Sequence, residues 1–216
     1  MSSTRILRIE AKDSDAREVL ERCIRTGGVA VFPADTVYGL ACDPLNRDAI
    51  GRINALKGRA PGKPSAVMFF DREAMRELVS ALGPRTRAAL EALLPGPATT
   101  VVRNHGRLYP LACREDPERL GVRLIAGPLS GARCPIFQTS ANRSGERDPR
   151  SLEDVDPEIL AGVELAIDGG ELFGEPSTVV DLTVLDEEGT WTILREGALP
   201  RADIAGALTG VGRVRG

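Results

Sequence analysis

The sequence predicts a single α/β domain built on a mixed sheet. Three observations predict it. The chain has 216 residues and is 42% hydrophobic, enough for one sizeable core. Its first half alternates short apolar runs with stretches whose apolar residues recur every three or four positions. Beyond about residue 98 the strand-like runs dominate, so strict βαβ alternation is absent and a mixed sheet is expected. No internal repeat or low-complexity linker divides the chain. Residues 1–216 therefore read as one domain, with its core over about 14–208.

The elements follow in order. Residues 5–9, RILRI, alternate and read as a strand. A helix follows, with Ser14 or Asp15 able to cap it, Ala16, Val19, Leu20, Cys23 and Ile24 on its apolar face, and Gly27 ending it. VAVF at 29–32 is a short buried strand stopped by Pro33. A second helix is capped by Asn46, carries Ala49, Ile50, Ile53 and Leu56 as its stripe, and closes at Gly58. SAVMFF at 65–70 is a strand, and Asp71 caps a helix through residue 82. PRTRAALEALLPG is another helix, ended by Pro95-Gly96-Pro97. Strands are expected at 99–103, 121–125, 135–140, 163–168, 177–183 and 191–196. A long polar loop separates the first two, residues 151–162 read as a short helix, the tail ADIAGALTG as a last helix, and GVGRVRG as a frayed end.

The charge balance excludes some classes of function. Net charge is −3, which is not the footprint of a protein that coats nucleic acid, although a local basic cleft is compatible with it. Cys23, Cys42, Cys113 and Cys134 form no C-x-x-C pair, so a zinc or dithiol motif is not expected and buried reduced thiols are. No run is long enough to span a membrane and no leader-like apolar region opens the chain, which points to a cytoplasmic protein.

Candidate chemistry starts at INALKGRAPGKP, residues 53–64. The chain has only three lysines, Lys12, Lys57 and Lys63, and two of them flank Arg59 here. Cations at a helix C-terminus complement its dipole, which accounts for one of these charges. Three on a stiff Gly-Pro turn suit a polyanion. The stretch is one residue short of a Walker A loop, has Pro64 where a magnesium-binding hydroxyl would stand, and follows a helix instead of preceding one, so a P-loop is rejected. FPADTVYGLACD places Asp35, Thr36 and Tyr38 at a strand end, where α/β sheets hold ligands. QTSANRSGERDP runs a strand into Thr139, Ser140 and Asn142, short polar side chains suited to phosphate, ribose or carboxylate. GEPSTVVDLT sets Ser177 and Thr178 at the start of a buried strand, ILREG ends an apolar run on Arg195, and Arg123 lies among apolar strand neighbours and needs an anionic partner. Each of these alone also reads as an ordinary capped turn or structural ion pair.

In combination and in this order, F-P-x-D-T-V-Y-G-L, K-x-R, S-A-N, G-x-x-S-T-V-V-D and L-R-E-G resemble the YrdC-like family of L-threonylcarbamoyladenylate synthases, over about Gly27 to Leu199. The resemblance implies a twisted open mixed sheet with flanking helices around a large concave groove. It implies an enzyme that makes threonylcarbamoyl-AMP and pyrophosphate from L-threonine, bicarbonate and ATP, with Mg²⁺ accompanying the ATP. Downstream tRNA threonylcarbamoyl transferase proteins would use the product, and a weak tRNA contact is compatible with the groove. By motif, Lys57, Arg59, Ser140 and Asn142 match the nucleotide-binding and catalytic set. Lys63, Asp148 and Arg195 fall where the family has further ATP contacts. Thr36, Arg123 and Ser177 match residues that hold threonine, and Met68 or Val179 would shape the pocket for its methyl group. No dedicated protein ligand for a metal is expected, and the lone His105, in a polar loop, is expected to be solvated. Ala34 stands where Thr or Ser often follows the proline, Ser65 where leucine is frequent, and Leu94 where tryptophan is usual. These departures leave a second reading: a paralogue that binds nucleotide or RNA without efficient threonine-dependent synthesis. A carbamoyl-transfer role of the kind found when such domains are fused to carbamoyltransferases is disfavoured, because no motif for a further zinc or catalytic domain occurs.

Overall fold

A computed structural model describes residues 4–8, 14–59, 65–113 and 115–215 of the chain. The elements run β1 (Arg5–Arg8), α1 (Ser14–Arg25), β2 (Ala30–Pro33), β3 (Tyr38–Cys42), α2 (Arg47–Lys57), β4 (Ala66–Phe69), a 3-10 turn (Glu73–Met75), α3 (Arg76–Ser80) and α4 (Pro84–Leu93). They continue as β5 (Ala98–Arg103), α5 (Pro110–Cys113), β6 (Arg119–Leu124), β7 (Ile136–Ser140), α6 (Pro157–Ala161), β8 (Leu165–Asp168), β9 (Thr178–Asp181), α7 (Leu185–Glu188), β10 (Thr190–Arg195), α8 (Arg201–Ala207) and β11 (Arg213–Val214). The strands form one open sheet in the order β1-β8-β2-β3-β7-β4-β6-β5-β9-β10-β11. Pairing is mixed: β2 with β3 and β5 with β6 are antiparallel, whereas β4 with β6 and β5 with β9 are parallel.

Helix α2 shows how local sequence sets an element. The Asn46 side chain accepts from the backbone N–H groups of Asp48 and Ala49 at 3.1 and 3.0 Å. Gly58 closes the helix at φ 57°, in the left-handed region that glycine enters without penalty. Ala49, Ile50 and Ile53 bury the face between the caps. Asp71 accepts from the Glu73 amide at 3.0 Å as an N-terminal cap, but a 3-10 turn precedes α3, so the expected single helix is divided.

Two expectations are corrected and one strand is added. After Pro33 the chain reverses and returns as β3, antiparallel to β2. All five β3 residues are buried, so the strand shows no apolar-polar alternation to read. The polar loop after β5 contains α5. The C-terminal tail is not frayed but pairs beside β10, with the Arg213 amide donating to Gly189 O at 2.9 Å and the Arg215 amide to Trp191 O at 2.7 Å.

Strand alternation divides the core into two layers. Val29, Val31, Leu40, Val67, Phe69 and Phe137 point into the larger cluster, with α2, α3, α4 and α8. Ala30, Phe32, Ala41, Met68, Phe70 and Ile136 point to the other face, which α1 covers. The β6-β5-β9-β10 half of the sheet sends Leu120, Val122, Val102, Val180 and Trp191 into the larger cluster. Its opposite face is not filled by large apolar side chains. That uncovered face is where a cavity opens.

Candidate active site

The cavity has a volume of about 610 Å³. Its walls are the alternate strand positions that the core does not use: Thr99 and Val101 from β5, Gly121 and Arg123 from β6, Gln138 and Ser140 from β7, and Val179 from β9. Arg59, Asp148, Ser177 and Arg195 complete it from strand ends and loops. A face bearing Gly, Thr, Ser and Arg at these positions cannot bury against a helix without stranding polar groups, so it stays open to a ligand.

Arg123 is the most buried charge on this wall, at 3% exposure. Its guanidinium pairs with Asp35 Oδ1 and donates to Thr36 Oγ1 at 3.5 Å. Burial lowers its pKa from the ordinary value and Asp35 opposes that drop. A guanidinium this basic stays charged. Asp35 Oδ2 and Arg123 Nε have no hydrogen-bond partner among the described residues, so the pair is not saturated from within. Ser177 Oγ lies 2.8 Å from Thr99 Oγ1, and Arg195 donates to Ser177 O at 2.6 Å. Arg59 donates to the hydroxyls of Ser65 and Thr139 at 3.0 and 3.2 Å, which fixes its guanidinium on the wall.

The L-R-E-G and G-E-P-S-T motifs are one structural unit. A Cβ on Gly197 would collide with Pro176 O and lie 2.7 Å from Ser177 C. Ala198 N also donates to Pro176 O at 2.9 Å. Gly197→Ala is therefore expected to push Arg195 away from Ser177. It should cost about 1–3 kcal/mol of stability by overpacking and, for the ATP and L-threonine that the family resemblance implies, weaken binding of both. Urea denaturation and calorimetry measure the two effects, and wild-type values for both would refute the coupling.

The expected residues do not all meet on the wall. Arg59, Ser140, Asp148, Arg123, Ser177 and Arg195 surround the cavity, as does Val179. Thr36 reaches Arg123 but faces a neighbouring cavity of about 330 Å³, together with Asp35 and Phe173. Met68 does not reach the wall. It lies beside Arg123 in register and on the same sheet face, but it is fully buried with Phe32 and Phe70. Lys57 is not on the wall either: only 4% exposed, it is turned inward onto the Ser140–Asn142 turn. Asn142 stands behind Ser140, accepting from Ser140 Oγ at 2.6 Å. Lys63 lies outside the described residues. Tyr38 is a core post: its hydroxyl donates to Gly170 O at 2.8 Å and accepts from Gly169 N at 2.9 Å, and burial pushes its pKa up to about 12.

Sequence reasoning missed Thr99, Arg119 and Gln138. Arg119 pairs with Asp181 at 2.5 Å on the cavity wall. The available signal was polar residues inside otherwise apolar strand runs: Thr99 in β5, Arg119 in β6 and Gln138 in β7. Burial pushes the Cys23 thiol up to about 11, those of Cys42 and Cys134 up to about 12 and that of Cys113, on the cavity wall, upward as well, which disfavours a thiolate nucleophile. His105 is exposed.

A family model described as Sua5_yciO_yrdC, telomere recombination, matches residues 22–197. The chain belongs to the Sua5/YciO/YrdC family. A threonylcarbamoyl-AMP synthase of Chromohalobacter salexigens is 34% identical over 166 residues, covering 74% of this chain and 88% of that one. The Pyrococcus abyssi threonylcarbamoyl-AMP synthase is 33% identical over 190 residues, covering 84% of this chain and 54% of that protein. The crystal structure of P. abyssi Sua5 complexed with L-threonine superposes with a TM-score of 0.85 at 28% identity. That match covers 98% of this chain and 63% of the Sua5 chain, so the present chain spans less than two thirds of that neighbour.

Proposed function

We propose that this chain is an L-threonylcarbamoyladenylate synthase, a nucleotidyltransferase that makes threonylcarbamoyl-AMP and pyrophosphate from L-threonine, bicarbonate and ATP. The observation that carries the reading is the convergence of Arg59, Ser140, Asp148 and Arg195 with Arg123 and Ser177 around one cavity. The first four would take the nucleotide, with Lys63 as a further contact. Arg123, Ser177 and Thr36 would take the carboxylate and hydroxyl of threonine. The L-threonine bound to the P. abyssi neighbour and the threonylcarbamoyl-AMP synthase activity for which the relatives are named support a site for both ligands.

The reaction fits placement better than covalent catalysis. Bicarbonate would break its C–OH bond to give carbon dioxide and hydroxide; the neutral threonine amine would add to the carbon dioxide, and its proton would pass to the hydroxide as water, leaving a carbamate. A carbamate oxygen then attacks the α-phosphorus, and the bond to pyrophosphate breaks. Such transfers depend on positioning and on cations that meet the developing charge. Among the described residues no three His, Cys, Asp or Glu side chains come together as a metal cage, and Mg²⁺ would enter with the ATP phosphates. No helix among the described residues is long and apolar enough to cross a membrane. The proposed setting is the cytoplasm, where the product would pass to tRNA threonylcarbamoyl transferase proteins.

The test is pyrophosphate release from ATP with and without L-threonine and bicarbonate. Release is expected to need both. Serine should support it about 10- to 200-fold less efficiently, the discrimination one methyl group gives. ATP binding without threonine-dependent turnover would instead support the paralogue reading.

A further inference from the structure

The Lys57 ammonium accounts for all of its donors without a ligand. It donates to Ser140 O at 2.5 Å, Asn142 O at 2.6 Å and Asn142 Oδ1 at 2.9 Å. An ammonium has three N–H groups and a neutral amine two, so only the charged form fills all three acceptors. The Ser144 amide donates to Lys57 O at 2.8 Å, which ties the end of α2 to the same turn by its backbone. Within the turn, Ser140 Oγ donates to Asn142 Oδ1 at 2.6 Å and Asn142 Nδ2 to Glu146 O at 2.6 Å. Ser140 and Asp148 then face the cavity, whereas Lys57 does not.

We propose that Lys57 serves the nucleotide site as a positioning residue: its ammonium shapes the Ser140–Asn142 turn and sets Ser140 against the ligand without itself holding a phosphate. This inference rests on the nucleotide reading of the cavity. It separates the two cations of the K-x-R motif: Arg59 faces the ligand and Lys57 builds the wall behind it. The charged groups that face Lys57 are Arg59 and Asp148, and burial with Arg59 lowers its pKa to about 8 against the pull of Asp148. Loss of the ammonium therefore falls within an accessible pH range.

Calorimetric titration with AMP, ADP and ATP tests it, using wild type, Lys57→Met, Ser140→Ala and the double variant. A positioning role predicts that Lys57→Met weakens all three nucleotides by one common factor, on the order of 10- to 100-fold, as loss of a buried charged hydrogen-bond set does. Ser140→Ala should then add almost nothing in the Lys57→Met background, and L-threonine affinity should stay within about twofold. Wild-type affinity for the three nucleotides should fall together as pH rises through about 8, a limb absent from Lys57→Met. A loss confined to ATP and ADP, or additive with Ser140→Ala, would overturn the inference. Should Lys57→Met fail to fold, amine acetylation of the wild type followed by mass spectrometry decides, because the chain has only three lysines. Lys57 is expected to acetylate slowly, at a rate that ATP does not change. Ready labelling that ATP blocks would overturn the inference. A wild type that binds no adenine nucleotide would overturn both this inference and the functional reading; threonine-dependent turnover with a phosphate-selective Lys57 would overturn this one alone.

Discussion

Arg123→Met is expected to cost the fold about 3–5 kcal/mol, because it leaves the largely buried Asp35 carboxylate without its counterion, and to abolish measurable L-threonine binding, because it removes the guanidinium proposed to hold the ligand carboxylate. Arg123 is 3% exposed and its carboxylate partner is held at its side by the β2–β3 turn. Removing one member of a buried pair strands the other, whereas removing both leaves no charge to desolvate. The double variant Arg123→Met/Asp35→Leu should therefore recover most of the lost stability while still failing to bind threonine. Urea denaturation of the four species gives the cycle, and calorimetry with L-threonine gives the second readout. If the double variant were as unstable as the single one, the loss would lie in packing and not in the stranded charge. If Arg123→Met still bound threonine normally, Arg123 would be a structural ion pair only. That Arg123 Nε and Asp35 Oδ2 have no hydrogen-bond partner among the described residues favours the functional outcome, since a purely structural pair in a closed wall would have its remaining polar atoms satisfied from within.

Much of this fold was legible where the sequence states its own boundaries. Asn46 and Gly58 bracket α2, and both act as caps in the structure. Strand β3 was not legible, because a strand buried on both faces carries no period-2 signal and YGLAC contains little β-branched character. The site was legible as a set of residue types at strand ends and loops, and less so as a geometry. Arg59, Ser140, Ser177 and Arg195 converge because the order of β7, β6, β5, β9 and β10 brings distant motifs to one face. That order depends on long-range pairing, which local pattern does not encode. Lys57 shows the limit most clearly. As a residue type it suits phosphate, but its direction is set by carbonyls 83 and 85 residues away in sequence. Met68 is the same lesson from an apolar residue: correct sheet face, wrong depth.

The catalytic weight should therefore rest on Arg59. Arg59→Lys is expected to lower kcat for pyrophosphate release about 100-fold and Arg59→Met about 1000-fold, the range found when one preorganised donor to developing charge is removed. Lysine restores the charge but not the planar fork: with two of its three N–H groups on Ser65 Oγ and Thr139 Oγ1 it would have one donor left for a phosphate, fewer than the five-donor guanidinium offers. Those two hydroxyls hold the guanidinium before the ligand arrives, so its alignment is set in the folded chain and not at the moment of reaction. Thr139→Val removes one of them without touching the charge, and about a tenfold fall in kcat is expected from the looser guanidinium. The split between parameters is the deciding observation. A fall in kcat with KM for ATP little changed would place the interaction in the transition state, where charge leaves with pyrophosphate. A rise in KM with kcat intact would make Arg59 a ground-state grip, and the rate acceleration would then have to come from Arg195, whose guanidinium is anchored to Ser177 on the opposite wall.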